Sequence, residues 1–254
     1  MRHSCITWDG EGGPPAHGSG SDIDTTAASD PSDGSNLVSP TTGVRRWLPA
    51  ALAAAALLLT SIGLSGIGDA PDPHASTNEI ADWFTVRRTE ILVVAPFGYL
   101  GALAIVALSI VLARARRRAT ATSSGAVLIA GGVITATYLF GVHLGWSANA
   151  YLIAGSSPES AKAIFVMTIT SVPVLALGVG LMAGATALHG SAIVGRWFRV
   201  VSAAVAALAA VGMVAIADRG FFSPDVQQQT IGNALLVWLL LAVVAAALPR
   251  RFTR

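Results

Sequence analysis

The chain has 254 residues, of which 12% are charged and 53% are hydrophobic, and its mean hydropathy is +0.64. Because a water-soluble domain carries about 25% charged residues, this composition excludes an ordinary soluble fold and predicts an integral membrane protein in a lipid bilayer. The basic residues behind the net charge of +2 stand in short groups beside apolar runs, a pattern that indicates membrane orientation and no nucleic-acid partner.

Residues 1–44 form an acidic tail rich in Gly, Ser, Thr and Asp, without apolar periodicity. Such a segment cannot bury enough apolar surface to offset its chain entropy, so we expect it to be disordered. The single cysteine, Cys5, has no second cysteine to pair with and no metal-ligand spacing around it. The rest of the chain, 45–254, is predicted to form one helical membrane domain.

Six apolar runs follow the tail, and at about 1.5 Å per residue each is long enough to cross a bilayer core. Uninterrupted apolar runs exclude a β-barrel, whose strands alternate between apolar and polar residues. The predicted fold is therefore all-α, a polytopic transmembrane helical bundle of about six spans with a disordered N-terminal tail. The spans lie near residues 48–68, 91–113, 125–147, 163–188, 200–217 and 230–248.

Charged residues sort into alternate loops between these runs. Acidic residues beyond the tail fall in one set of loops, whereas the densest basic group, four arginines within 114–118, falls in the other. Because arginine-rich loops stay in the cytoplasm, the pattern predicts a multi-pass protein of the cell membrane with both termini cytoplasmic. A cleaved signal peptide is the alternative for the first run, but its length favours retention as a span.

The loop after the first span contains an amphipathic pattern near residues 78–88. Asn78 is the expected N-cap, and Glu79 places a negative charge in the first turn. Apolar residues then recur at helical spacing, which predicts a short interfacial helix on the outer leaflet. We expect Trp83 and Phe84 to anchor this helix at the level of the lipid headgroups.

The stretch Ser76–Arg88, which leads into a long span closed by an arginine cluster, resembles part of a family of uncharacterised actinobacterial multi-pass integral membrane proteins. The resemblance continues at the Ser157–Ala161 start of the fourth span and at Arg196-Trp197 before the fifth. The resemblance covers roughly residues 70–248 and extends to the Ala/Gly-rich third span. Members of that family carry a domain of unknown function. The resemblance therefore implies the membrane architecture and assigns no site residue.

Chemistry inside the membrane is not indicated by the sequence. None of the predicted spans carries Asp, Glu, Lys or Arg at its centre, where a charge costs about 2.5 to 3.5 kcal/mol. A phosphate-binding Gly-Lys-Ser/Thr loop, a His-Glu-x-x-His helix, a Gly-x-Ser-x-Gly turn and a Cys-x-x-Cys pair are all missing from the chain. We expect no enzyme, no catalytic residue, no cofactor and no metal ion.

Polar residues gather toward the outer ends of several spans. His143 lies about 6 Å from the outer end of the third span, and we interpret it as a hydrogen-bonding histidine, with metal or haem ligation as the alternative. Pro173 predicts a kink in the fourth span, which would open space. These polar positions either serve helix packing or line an outward-facing pocket. The candidate pocket residues are His143, Ser147, Thr168, Thr170 and Asn233.

Three functions remain open from the sequence. The favoured one is a non-enzymatic accessory, sensory or envelope-organising membrane component with a membrane-protein partner. The second is a small-solute or lipid transporter that uses the polar pocket, and the third is a metal- or haem-binding protein that uses His143. Two small-xxx-small pairs, Gly141/Gly145 and Gly180/Gly184, are expected to pack within the monomer, with a homodimer as the alternative.

Overall fold

A computed structural model describes residues 41–67, 70–117, 122–189, 195–214, 220 and 222–247. The expected disorder of the tail concerns residues that lie almost entirely outside these ranges. All regular structure in the described ranges is helical, which confirms the all-α prediction. The elements are α1 (Thr41–Ile67), α2 (Thr77–Val86), α3 (Arg88–Arg117), α4 (Thr122–Ala148), a π-helix (Asn149–Ile153), α5 (Ala154–Ser156), α6 (Pro158–Thr170), α7 (Val172–His189), α8 (Arg196–Gly212) and α9 (Pro224–Ala247).

Four segments have the length and apolar composition of membrane spans, and they correspond to the predicted second, third, fourth and sixth spans. The first predicted span contains a shorter apolar helix, Leu48–Gly63. The fifth corresponds to α8, whose 17 residues extend about 26 Å, while residues 215–217 lie outside the described ranges. The count of about six spans therefore stays a prediction. The four spans are Arg88–Arg114, Gly125–Leu152, Pro158–Leu188 and Pro224–Ala245.

The long helices close into a ring around an apolar core. α3 packs against α1 and α4, α7 packs against α4 and α8, and α9 packs against α8 and α1. Trp238 and Phe198 are buried in this core, where their rings stack at 5.7 Å. Trp238 also donates a hydrogen bond from Nε1 to Ser202 Oγ at 2.9 Å. α8, which is short for a membrane span, is thus an integral member of the bundle.

α4 and α7 come into backbone contact at two glycines that the sequence analysis did not single out. A Cβ atom on Gly131 would lie 2.8 Å from the carbonyl oxygen of Gly178, and a Cβ on Gly178 would overlap Thr135. Helices approach this closely only where both lack side chains. The crossing therefore depends on glycine at both positions.

The predicted small-residue pairs contribute unequally to packing. A Cβ on Gly180 or Gly184 would lie 3.4 Å or 3.8 Å from an alanine Cβ of α8, so this pair packs inside the monomer as expected. Gly145 faces α6, and a Cβ there would lie 3.0 Å from Ile164. Gly141, by contrast, has no heavy atom within 4 Å of such a Cβ. The prediction of packing within the monomer is wrong for Gly141.

The fourth predicted span is interrupted two residues before Pro173, the residue at which the sequence predicts a kink. α6 ends at Thr170 and α7 begins at Val172, so the helix is interrupted at Ser171. Pro173 has no N–H to donate to the carbonyl one turn earlier. Ser171 Oγ donates to the carbonyl of Thr168 at 2.9 Å, which satisfies one of the acceptors at the break.

α2 forms where the amphipathic pattern predicts it, with two differences in detail. Its N-cap is Ser76, whose Oγ accepts a hydrogen bond from the backbone N–H of Glu79 at 3.2 Å, so the expectation for Asn78 is wrong. Phe84 is completely buried within the protein, so its expected place among the lipid headgroups is wrong as well.

Candidate functional site

α2 covers one end of the helical ring, and we call this end of the molecule the capped end. The apolar face of α2 packs onto α3, the π-helix and α6, which together form a second apolar cluster separate from the main core. Protein therefore covers the side of α2 that a membrane-anchoring helix would direct into lipid. The buried members of the cluster are Ile67, Ile80, Ala81, Phe84, Ile91, Val94, Ala150, Ala161, Phe165 and Ile169.

Four aromatic rings lock α2 onto the bundle. The Phe84 ring centroid lies 5.0 Å from that of Trp83 and 5.8 Å from that of Trp146, both in edge-to-face geometry. Phe165 of α6 lies 5.8 Å from Phe84 and 6.2 Å from Trp146. Pairs of this kind contribute about 0.5 to 1.5 kcal/mol each beyond the area that they bury. The cap is thus fixed by large side chains from three helices.

A lysine tethers the segment that leads into α2. Lys162, the only lysine of the chain, donates a hydrogen bond from Nζ to the carbonyl oxygen of Ala75 at 2.7 Å. At the other end of α2, the backbone N–H of Arg87 donates a hydrogen bond to the carbonyl oxygen of Trp83 at 3.0 Å. Arg87 is the last residue before α3 begins. Both ends of the short helix are therefore held in place.

His143 takes part in packing between α3 and α4. Its Nδ1 lies 2.7 Å from the carbonyl oxygen of Leu139, and because a carbonyl only accepts, Nδ1 carries the donated proton. The ring fills the space beside Gly98, where any Cβ would overlap it, and it meets Tyr99 edge-on at 6.2 Å. Within the described ranges, no group of three or more His, Cys, Asp or Glu side chains could hold a metal ion.

The other candidate pocket residues divide into two groups. Ser147 accepts a hydrogen bond from the Tyr99 hydroxyl at 3.3 Å, and buried Thr168 accepts one from Trp146 Nε1 at 3.2 Å. The first of these hydrogen bonds joins α3 to α4, and the second joins α4 to α6. Thr170 and Asn233 are exposed, and the side-chain hydrogen bonds of Thr170 stay within α6.

Two buried polar atoms of the third span have no hydrogen-bond partner within the described ranges: Tyr138 Oη and Asn149 Oδ1. Asn149 is 1% exposed, and its Nδ2 donates to the carbonyl of Ala161 at 3.0 Å. It is also the first residue of the π-helix, a local distortion that is frequent at functional positions. The sequence analysis missed Asn149, because the residues around it continue an ordinary helical pattern.

A pocket of about 390 Å³ opens on the exposed side of α2. Most of its lining comes from one helix face, since the α2 positions recur three or four residues apart. The carboxylates of Glu79 and Asp82 and the guanidinium of Arg87 form no ion pair or side-chain hydrogen bond within the described ranges. The pocket thus combines charges of both signs with an indole ring. Its lining residues are Pro71, Glu79, Asp82, Trp83, Val86 and Arg87.

No protein-family model, curated protein or solved structure matches this chain. The resemblance to uncharacterised multi-pass membrane proteins therefore stays a prediction.

Proposed function

We propose that the protein is a non-enzymatic component of the cell membrane, with an accessory, sensory or envelope-organising role, and that it presents α2 to a partner. One observation carries this proposal: α2 buries Ile80, Ala81 and Phe84 in the protein and directs its charged face outward around a pocket. A helix that served only to anchor the protein would direct its apolar face into lipid. α2 is therefore built as a platform.

The sorting of charges supports an outward-facing position for this platform. Three arginines within residues 114–117 end α3, and α2 lies at the opposite end of the same helix. Arg199, at the start of α8, donates a hydrogen bond from Nε to the carbonyl of Ala187, which places a second basic group where α7 ends. Because arginine-rich ends stay in the cytoplasm, we assign the capped end to the outer side and both termini to the cytoplasm.

The rigidity of the cap favours recognition as its role. A partner that binds a mobile loop must order it first, and this cost reduces the affinity. Here the aromatic contacts of Phe84, the Lys162 tether and the Ser76 cap hold α2 in place before any partner arrives. The exposed face is thus pre-organised.

Site-specific crosslinking in intact cells tests this proposal. A photoreactive amino acid in place of Val86, which is 73% exposed on α2, should give a discrete adduct with a membrane-protein partner. The matched control is the same substitution at Leu100, which is 57% exposed on the apolar side of α3. Identical adducts from both positions, or none from position 86, would contradict the proposal.

One observation favours the alternative of a small-solute or lipid transporter. Tyr138 and Asn149 are 11 residues apart, about three helical turns, so their unpaired polar atoms lie on the same face of one span. Buried polar atoms without partners require an explanation, and a polar path between helices would provide one. Transport would be favoured if a fluorescent phospholipid crosses the bilayer of proteoliposomes faster than that of protein-free liposomes, and if Asn149→Leu slows this movement. Equal rates in proteoliposomes and protein-free liposomes would contradict transport.

A further inference from the structure

We infer that the pocket on α2 binds the headgroup of a phospholipid that carries a primary ammonium group. Arg87 takes the phosphate, and Glu79, Asp82 and Trp83 take the ammonium. This inference rests on the proposed function, because it assigns a ligand to the same recognition surface. The bilayer itself supplies this ligand.

The position of the pocket relative to the bilayer points to a lipid. Arg87 is the single residue between α2 and α3, and the candidate span begins at the next position, Arg88. The first buried apolar side chain of α3, Ile91, follows about 6 Å further along the helix. The Arg87 end of the pocket therefore lies where headgroup phosphates meet the hydrocarbon core.

Arg87 has the chemistry of a phosphate ligand. A guanidinium group is planar and donates two parallel hydrogen bonds to a phosphate, with little loss of freedom because the fork is rigid. The Arg87 side chain is half-buried in the pocket wall and makes no ion pair with a described carboxylate. Its charge is therefore available to an anionic group that enters the pocket.

The remaining lining residues suit an ammonium group. A primary ammonium donates three hydrogen bonds, and the carboxylates of Glu79 and Asp82 are acceptors only. An indole ring adds a cation–π attraction, which is strongest for tryptophan among the aromatic residues. The Trp83 ring is held 5.0 Å from Phe84 and 5.7 Å from Trp146, so it is positioned before the headgroup binds.

The balance of charges around the pocket selects among lipids. Two carboxylates and one guanidinium line it, so a zwitterionic headgroup places an opposite charge at each end. An anionic phospholipid without an amine would satisfy Arg87 but would face two uncompensated carboxylates. Such repulsion is how a site rejects a competitor. The pocket should therefore prefer phosphatidylethanolamine to phosphatidylglycerol.

Native mass spectrometry of the full-length protein tests this preference. The protein in detergent is titrated with phosphatidylethanolamine or phosphatidylglycerol of identical acyl chains. We expect about tenfold tighter retention of the ethanolamine lipid, the size of one charge-assisted contact. Arg87→Gln should abolish most binding of both lipids at the pocket, whereas Asp82→Asn should reduce the preference by strengthening phosphatidylglycerol relative to phosphatidylethanolamine.

Two neighbouring variants serve as matched controls. Arg88→Gln removes an exposed guanidinium next in the chain that stacks on Tyr151 and does not line the pocket. Glu90→Gln removes an exposed carboxylate of the first turn of α3. Both should keep the lipid preference of the native protein. Equal loss in Arg87→Gln and Arg88→Gln would show general attraction to a basic surface and overturn the inference.

Two further experiments distinguish a membrane lipid from other ligands of the pocket. Soluble glycerophosphoethanolamine should compete only at far higher concentration, because it lacks the acyl chains; competition at equal concentration would overturn the lipid assignment. Binding of a basic peptide that Asp82→Asn abolishes and Arg87→Gln spares would overturn it as well. If the protein shows no lipid preference but the crosslink at position 86 persists, the headgroup inference is wrong and the proposed function is unaffected.

Discussion

The α4–α7 crossing and the capped end are packed in opposite ways. At the crossing, Gly131 and Gly178 bring two backbones together, and no side chain can be added. At the capped end, Phe84, Trp146 and Phe165 fill the space with large rings, and a charged face remains exposed above them. The two contacts differ in what they leave exposed: the crossing has no room for a side chain, whereas the cap keeps a charged face exposed on α2.

The largest expected effect comes from the aromatic cluster. Phe84→Ala should destabilise the cap by about 3 to 5 kcal/mol, because the ring is completely buried and its removal leaves a cavity. Hydrogen exchange across residues 77–86 in the detergent-solubilised protein would report this loss. The control is Phe140→Ala on α4, where the ring is 46% exposed and the cost should be much smaller.

Equal exchange in the two phenylalanine variants would show that α2 is not held by its apolar face. The contrast between the two regions would then fail, and the cap would be an ordinary surface helix. Faster exchange that is confined to α2 would instead show that the cap opens as a unit while the helical ring stays closed.

Alanine substitutions at two glycines of α4 test the close backbone contact at the α4–α7 crossing. Gly131→Ala should cost about 1 to 3 kcal/mol, because the added Cβ would lie 2.8 Å from the carbonyl oxygen of Gly178. Gly141→Ala meets open space, so it should be neutral or stabilise the helix by up to about 1 kcal/mol. Thermal unfolding in detergent, followed by circular dichroism, would measure both changes.

The two glycine variants are expected to change stability in opposite directions or by clearly different amounts, which a uniform effect of the detergent would not produce. A loss of stability in Gly141→Ala equal to that in Gly131→Ala would mean that this face of α4 is also covered, as it would be in a homodimer. The same measurement therefore bears on the oligomeric alternative that the small-residue spacing left open.

Much of the fold was predictable because it is encoded locally. Long apolar runs specify the spans, and Pro173 specifies the break in the fourth. The N-cap at Ser76 also had a local signal, since a serine three residues before Glu79 is a capping-box pattern. Asn78 competes with this signal, because asparagine is an equally good N-cap when it is judged alone.

The contacts between helices were not predictable in the same way. In a chain with 26 glycines, nothing local shows that Gly131 meets Gly178. The burial of Phe84 was hidden for a different reason: lipid and protein both accept an apolar helix face, so periodicity cannot distinguish them. The pocket on α2 depends on that burial, because it exists only where the charged face is turned away from the bundle.

The smallest expected effect separates two threonines of the candidate polar pocket. Thr168→Val should destabilise the protein by about 1 kcal/mol, because it leaves Nε1 of the partly buried Trp146 without its acceptor at 3.2 Å. Thr170→Val should change stability by less than about 0.5 kcal/mol, because Thr170 is exposed and bonds only within α6. Thermal unfolding of the pair would resolve the difference. If both variants unfold as the native protein does, Trp146 is held by its ring contacts alone, and the capped end depends on aromatic packing even more than its hydrogen bonds indicate.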